Sequence, residues 1–110
     1  MPFRVGQQIW IECDVKAGMS PNERSIRFEL PAPEKRIVSG FVPERFVKPR
    51  SNGLPARVAA VIASPPENGK VRVLLPGEVL TSTNPVLVDA SWLGSRSLTG
   101  HSISIDSLPR

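Results

Sequence analysis

Short stretches in which apolar and polar residues alternate, separated by turn-forming residues, follow one another along this chain. The first spans residues 9–16 and divides its side chains between an apolar face, with Ile9, Ile11, Cys13 and Val15, and an opposite face, with Trp10, Glu12, Asp14 and Lys16. A period of two residues predicts a half-buried β-strand. Further apolar patterns predict strands near residues 24–30, 36–42, 57–63, 71–75 and 86–90. Short strands without a helical period predict an all-β fold, a small antiparallel barrel or sandwich.

Proline and glycine set the lengths of these elements. The 110 residues include twelve prolines and eight glycines. Because proline interrupts helices and central strands alike, the elements must be short and the turns frequent, which excludes a predominantly helical protein. Asn68 and Gly69 supply the positive φ angles that a tight hairpin turn needs. The strand predicted at 57–63 is apolar on both faces, so we expect it to be the most buried.

Part of the sequence recurs at a spacing of 45 positions. Residues 22–31 (NERSIRFELP) resemble residues 67–76 (ENGKVRVLLP), with apolar residues at matching positions. A fixed period predicts a repeated unit in which each copy is too small to bury a core alone. We therefore expect two related three-stranded halves of about 45 residues, 1–50 and 51–94, packed on each other. Two interpretations of the polar tail, residues 95–110, remain open: it forms an edge strand at Ile103 and Ile105, or it is disordered.

One segment of the first half carries a family resemblance. Residues 39–47 (SGFVPERFV) resemble the closing segment of SH3 domains, in which a Gly-aromatic-apolar-Pro run leads through a 3₁₀ turn to an aromatic residue and a valine. In the second half, residues 57–61 and 71–77 are similar to the SH3-like barrels called KOW. The resemblance implies an SH3-like barrel, or two such barrels, with Pro43 and Phe46 at ligand-side positions. The chain has no tyrosine, so the groove that SH3 domains offer to proline-rich peptides is not implied.

Charge and composition limit the classes of partner that the protein can bind. The formal net charge is +4 and the sequence pI is about 10.0, which permits binding to nucleic acid or to an acidic partner and also serves solubility. No apolar run reaches the length of a membrane span, and the first residues contain no apolar signal segment. The single cysteine agrees with a reducing compartment. We expect a cytoplasmic protein without a membrane partner.

Candidate catalytic groups are few. Cys13 and His101 are the only thiol and imidazole, and Cys13 lies on an apolar strand face while His101 lies in the polar tail. Glu12 and Asp14 share a strand face with Lys16, which favours a solvated strip of mixed charge over an acid–base pair. The glycines form neither a dinucleotide fingerprint nor a P-loop. We expect a protein that is not an enzyme and that uses no cofactor or metal.

The function expected from these patterns is binding to another protein, as an interaction or adaptor module in a larger assembly. Trp10 has two interpretations. It is either an exposed anchor on a polar strand face, since tryptophan is enriched at binding hot spots, or a residue of the seam between the halves. The candidate partner-binding residues are Trp10, Glu12, Asp14, Phe41, Pro43, Arg45 and Phe46.

Two alternatives remain open. A small barrel with a basic face and an exposed aromatic residue could bind nucleic acid, because phosphates attract cations and bases stack on aromatic rings. The candidate residues for that role are Lys35, Arg36, Arg45, Lys48, Arg50 and Arg57, with Phe46 among them. A structural unit that forms homo-oligomers through an uncovered strand edge is the second alternative.

Overall fold

The computed structural model of the chain describes residues 3–31, 35–51, 53–81 and 83–96. Its strands, in chain order, are β1 (Gln8–Glu12), β2 (Asp14–Ala17), β3 (Glu23–Glu29), β4 (Ile37–Pro43), β5 (Val47–Lys48), β6 (Arg57–Ile62), β7 (Lys70–Leu74), β8 (Glu78–Val79) and β9 (Val86–Asp89). A 3₁₀ turn, Glu44–Phe46, lies between β4 and β5, and a helix, α1, spans Ala90–Arg96. All strand pairs are antiparallel. The prediction of an all-β, small antiparallel fold is confirmed.

The strands form two sheets. The five-stranded sheet has the order β1-β6-β7-β9, with β5 pairing β6 beside β7. The four-stranded sheet has the order β2-β3-β4-β8. The hairpin between β6 and β7 turns at Asn68 (φ 53°) and Gly69 (φ 76°), so the predicted positive φ angles are confirmed.

Strands from the two predicted halves pair with each other. β1 pairs with β6 along its whole length, from Gln8 opposite Val61 to Glu12 opposite Arg57, whereas β2 pairs with β3. The strand predicted at 9–16 is therefore divided at Cys13, because the chain leaves one sheet there and enters the other. At this point the Cys13 N–H donates to the Ala56 carbonyl at 3.0 Å. The 45-residue repeat itself stays a prediction.

One hydrophobic core cluster joins the two sheets. Ile9, Ile11, Val58 and Ile62 contribute to it from the five-stranded sheet, as do Ile26, Phe28, Val38 and Val42 from the four-stranded sheet. Trp92 of α1 stacks on Phe28, with a distance of 5.6 Å between the ring centroids and 28° between the planes. Trp92 is buried.

A helix was not expected where α1 forms, because the pattern of residues 86–90 predicts only a strand. Burial explains the change of conformation: Trp92 and Leu93 are adjacent in sequence and both lie in the core. A helical turn brings both side chains to one surface, whereas a strand would send neighbouring residues to opposite faces. The tail positions Ile103 and Ile105, and His101, lie outside the described residues.

Candidate protein-binding surface

The outer face of the five-stranded sheet carries the side chains that alternate with the core residues. Since Ile9, Ile11, Val58 and Ala60 lie in the core, their neighbours point to the opposite side of the sheet. The cross-strand pairs on this outer face are Gln8–Val61, Trp10–Ala59, Glu12–Arg57, Val61–Leu74, Arg72–Leu87 and Lys70–Asp89. The four-stranded sheet lies on the inner side; on the outer face Trp10, Arg57 and Ala59 are buried, whereas Val61, Leu74 and Leu87 are exposed.

Three apolar side chains form a stripe across this outer face. Val61 is 37% exposed, Leu74 43% and Leu87 41%. Val61 and Leu74 are directly opposite each other on β6 and β7. Leu87 of β9 is opposite Arg72, one diagonal step from Leu74. Isolated exposed apolar residues are ordinary on a protein surface, but three neighbours on adjacent strands form a continuous apolar patch.

A pocket opens at one end of this apolar stripe. β5 pairs with β6 at residues 57–58 and β7 pairs with β6 at residues 61–62, so the edge of β6 is uncovered between them. The pocket has a volume of about 200 Å³, and its lining is mostly apolar: Gln8, Phe46, Ala59, Ala60, Val61, Leu74, Leu75 and Pro76. A cavity of about 150 Å³ accepts a benzene molecule. This pocket, which we call the Phe46 pocket, is therefore large enough for one large apolar side chain.

Two cations lie over the aromatic rings beside this pocket. The guanidinium carbon of Arg45 is 4.7 Å from the centroid of the Phe46 ring, and Lys48 Nζ is 5.9 Å from the centroid of the Trp10 ring. Both distances are in the range of cation–π attraction. Phe46 is fixed by its position at the end of the 3₁₀ turn, immediately before β5 enters the sheet. The wall of the Phe46 pocket is thus held by backbone pairing as well as by the Arg45 contact.

The structure excludes one of the two positions considered for Trp10. Its side chain is only 4% exposed, and it lies on β1 opposite Ala59 of β6. Trp10 is therefore not an exposed anchor, and its place in a seam between the halves stays a prediction. Its indole N–H has no hydrogen-bond acceptor among the described residues. The ammonium group of Lys48 lies over this indole on the outer face.

The other predicted partner-binding residues are distributed over both sheets. Arg45 and Phe46 belong to the 3₁₀ turn before β5, but Phe41 and Pro43 belong to β4 of the four-stranded sheet. Glu12 is on β1, whereas Asp14 is on β2, where its carboxylate lies 3.8 Å from the guanidinium of Arg27. The division of the predicted strand at Cys13 puts the two carboxylates on different sheets, although both line the same groove. Among these residues, the structure places Trp10, Glu12, Arg45 and Phe46 at the outer face and Asp14, Phe41 and Pro43 on the other sheet.

The predicted nucleic-acid residues are also separated. Lys35 and Arg50 line a groove of about 480 Å³, together with Arg27 and three carboxylates, Glu12, Asp14 and Glu29. The three cations and three anions of this groove balance in formal charge. Arg57 is only 8% exposed, and its guanidinium donates to the Pro55 carbonyl at 3.0 Å. Arg36 is exposed near the start of β4.

Cys13 lies at the edge of the same groove. Burial, and secondarily the negative charge of Asp14, raises the pKa of its thiol from 9.0 to about 12. The thiol is therefore protonated at neutral pH, and the protonated form is a poor nucleophile.

Within the described residues, no helix has the length and apolar character that crossing a membrane requires.

The sequence interpretation missed Val61, Leu74 and Leu87. Residues 57–63 are apolar on both faces, and β6 is the most buried of the described strands, as expected, but its Val61 is exposed. In β7 and β9, Leu74 and Leu87 occupy the outward positions of the alternation, and this was the available signal.

Comparison with known proteins finds no matching family model, no matching curated protein and no matching solved structure.

Proposed function

We propose that this protein is a binding module for another protein, and that a partner docks on the outer face of the five-stranded sheet. One observation carries the proposal: an open pocket of about 200 Å³ with a mostly apolar lining lies at the end of a stripe of exposed Val61, Leu74 and Leu87. A partner would place one large apolar side chain in the Phe46 pocket and cover the apolar stripe with neighbouring residues.

Burial of apolar surface supplies the driving force for such docking. Transfer of apolar surface out of water contributes roughly 25 cal/mol per Å², and apolar anchors in central pockets dominate the energetics of many interfaces. The pocket is also formed in advance, because its lining residues belong to β5, β6 and β7 or adjoin them. A preformed pocket loses little conformational entropy when it is occupied.

The distribution of charge supports a protein partner over nucleic acid. Phosphate binding needs a surface where cations outnumber carboxylates. In the groove that contains Lys35 and Arg50, carboxylates equal the cations in number, and Arg57 is buried. The outer face offers apolar surface with only a few cations at its rim, which suits a protein segment with an apolar anchor.

A peptide selection tests the proposal. Random twelve-residue peptides displayed on phage are selected against the wild-type chain, and the selected peptides are then measured against Leu74→Asp and Leu80→Asp. Leu80 is 55% exposed and directly follows β8 of the four-stranded sheet, so its replacement is a matched control. We expect selected peptides to contain a large apolar residue and to lose binding to Leu74→Asp by at least about tenfold.

Equal binding to both variants would show that the outer face is not the docking surface. Both variants must first show the far-ultraviolet circular dichroism of the wild type. The nucleic-acid alternative has its own measurement, the anisotropy of labelled oligonucleotides at about 50 and 200 mM salt. Tight binding that weakens steeply with salt, and that Arg50→Glu weakens further, would favour that alternative over the proposal.

A further inference from the structure

The cations on and around the outer face differ in whether they have a carboxylate partner. Arg24 pairs with Glu44, and Lys70 pairs with Asp89 at 2.7 Å. By contrast, neither Arg45 nor Arg72 forms an ion pair with any carboxylate of the described residues. Both of these arginines are exposed. Their positive charges are therefore not neutralised within this part of the protein.

These two arginines stand on opposite sides of the apolar surface. Arg45 lies over the ring of Phe46, which forms one wall of the Phe46 pocket. Arg72 is on β7, two residues before Leu74 and on the same face, and it is directly opposite Leu87. The apolar stripe thus lies between a cation beside the pocket and a cation beside Leu87.

The nearest carboxylates of the outer face do not cancel this charge. Asp89 is occupied by Lys70, and Glu12 is the cross-strand neighbour of the buried Arg57. Lys48, over Trp10, adds a further positive charge near the pocket. The outer face therefore combines an apolar centre with a positive rim, a pattern complementary to a segment with an apolar centre and negative flanks.

We propose that the partner of this surface is an acidic segment of another protein, in which a large apolar residue is flanked by aspartate or glutamate. The apolar residue enters the Phe46 pocket, and the flanking carboxylates pair with Arg45 and Arg72. This inference rests on the proposed function and specifies the chemistry of its partner. Apolar contact supplies most of the affinity, and the rim charges select the acidic segment over neutral or basic ones.

Synthetic peptides test the selection by charge. The probes are four fluorescein-labelled twelve-residue peptides. Three have a central leucine, flanked by glutamates in the glutamate peptide, by lysines in the lysine peptide and by glutamines in the glutamine peptide. In the fourth, serine replaces the central leucine of the glutamate peptide. Anisotropy is measured at about 50 and 200 mM salt. We expect the glutamate peptide to bind best, to weaken with salt, and to lose its binding when the leucine is replaced.

Charge reversal at the rim gives the decisive comparison. Exposed charge pairs contribute up to about 1 kcal/mol, so Arg45→Glu and Arg72→Glu should each weaken the glutamate peptide by roughly three- to fivefold. Arg36→Glu makes the same change in net charge at an exposed position beside the other sheet, and it should change affinity by less than about twofold. The double variant Arg45→Glu/Arg72→Glu should bind the lysine peptide better than the wild type does, which loss of structure could not produce.

Several results would overturn this inference. If the wild type bound the lysine peptide as tightly as the glutamate peptide, or more tightly, the rim charges would not select an acidic segment. Equal effects of Arg36→Glu and Arg72→Glu on affinity would lead to the same conclusion. Absence of binding by all four peptides would also reject it. Sedimentation that shows a dimer lost in Leu74→Asp would assign the surface to a second copy of the chain. If phage selection meanwhile yields apolar peptides sensitive to Leu74→Asp, only the acidic partner is rejected, and the proposed function stands.

Discussion

The backbone carbonyl of Glu78 lies where a Cβ atom on Gly40 would have to be. The approach is reciprocal, because a Cβ atom on Gly77 would meet the carbonyl of Phe41. Gly77 also has a φ of 91°, a conformation that favours glycine. These two glycines allow β8, from the second half of the chain, to lie against β4 and complete the four-stranded sheet. A single added methyl group at either position would oppose this pairing.

We expect Gly40→Ala to lower the free energy of unfolding by about 1–3 kcal/mol, as overpacking against backbone generally does. Urea unfolding followed by circular dichroism measures the change. The matched control is Gly94→Ala in α1, where nothing lies within 4 Å of the added Cβ atom. Alanine is the better helix former, so this control should be neutral or stabilising by up to about 1 kcal/mol. Equal effects of the two changes would contradict the close approach of β8 and β4.

Trp10 provides a second prediction. Because its side chain is only 4% exposed, Trp10→Ala should cost about 3–5 kcal/mol of stability and lower the melting temperature strongly. Leu87→Ala, at an exposed position of the same sheet face, should cost less than about 1 kcal/mol. Thermal unfolding of the two variants makes the comparison. A melting temperature of Trp10→Ala close to that of the wild type would contradict burial of the indole.

The side chain of Asn84 holds the backbone of Leu75 through two hydrogen bonds. Its Oδ1 accepts from the Leu75 N–H at 3.0 Å, and its Nδ2 donates to the Leu75 carbonyl at 2.9 Å. Asn84→Ala removes both partners and should destabilise the protein by about 1–3 kcal/mol. Asn22→Ala is the control, since Asn22 is exposed and, among the described residues, only its backbone carbonyl forms a hydrogen bond, as acceptor for the Glu44 N–H. Similar unfolding midpoints for both variants would argue against this role of the Asn84 amide.

The raised pKa of Cys13 predicts slow reaction with thiol reagents. At pH 8 the thiolate fraction of a group with a pKa of about 12 is roughly a thousandfold smaller than that of an ordinary thiol. We therefore expect the native protein to react with Ellman's reagent far more slowly than the protein in guanidinium chloride. Asp14→Asn removes the secondary cause of the raised pKa, so it should increase the native rate modestly. A native rate equal to the denatured one would show an accessible thiolate.

The same pKa gives a prediction about stability and pH. The unfolded chain loses the thiol proton near pH 9, while the native state keeps it until about pH 12. The contribution of the protonated thiol to the free energy of unfolding is therefore fully present below pH 9 and is lost as the pH rises toward 12. In this range the wild type should lose stability more steeply than Cys13→Ala, by up to about 1.4 kcal/mol per pH unit. Parallel curves for the two proteins would contradict this linkage.

The strands were predictable from the sequence because each alternation is local. The periods at residues 24–30 and 71–75, and the Asn68-Gly69 turn, depend on neighbours in the chain, and the corresponding β3, β7 and hairpin turn are present. The sheet partners were not predictable, because pairing β1 with β6 depends on contacts between distant residues. The α1 helix was missed for the same reason, since it depends on the burial of Trp92 and Leu93.

The candidate site was only partly predictable. Arg45 and Phe46 could be selected because an aromatic residue among cations is visible in the sequence, and both border or adjoin the pocket. Leu74 and Leu87 are apolar residues at outward strand positions, and their significance depends on the register that brings them next to Val61. The contribution of Gly40 and Gly77 to the same architecture could not be seen either, because it lies in a contact between two backbones.

The pairing of β1 with β6 and of β4 with β8 affects how the chain can be made. Pairs such as Gln8–Val61 and Gly40–Val79 close chain segments of about fifty and about forty residues, and such non-local contacts slow folding. During synthesis, β1 has no partner strand until residues 57–62 have left the ribosome. An emerging first half therefore carries unpaired β1 backbone, and the native structure of both sheets can form only after residues 57–89 have been translated.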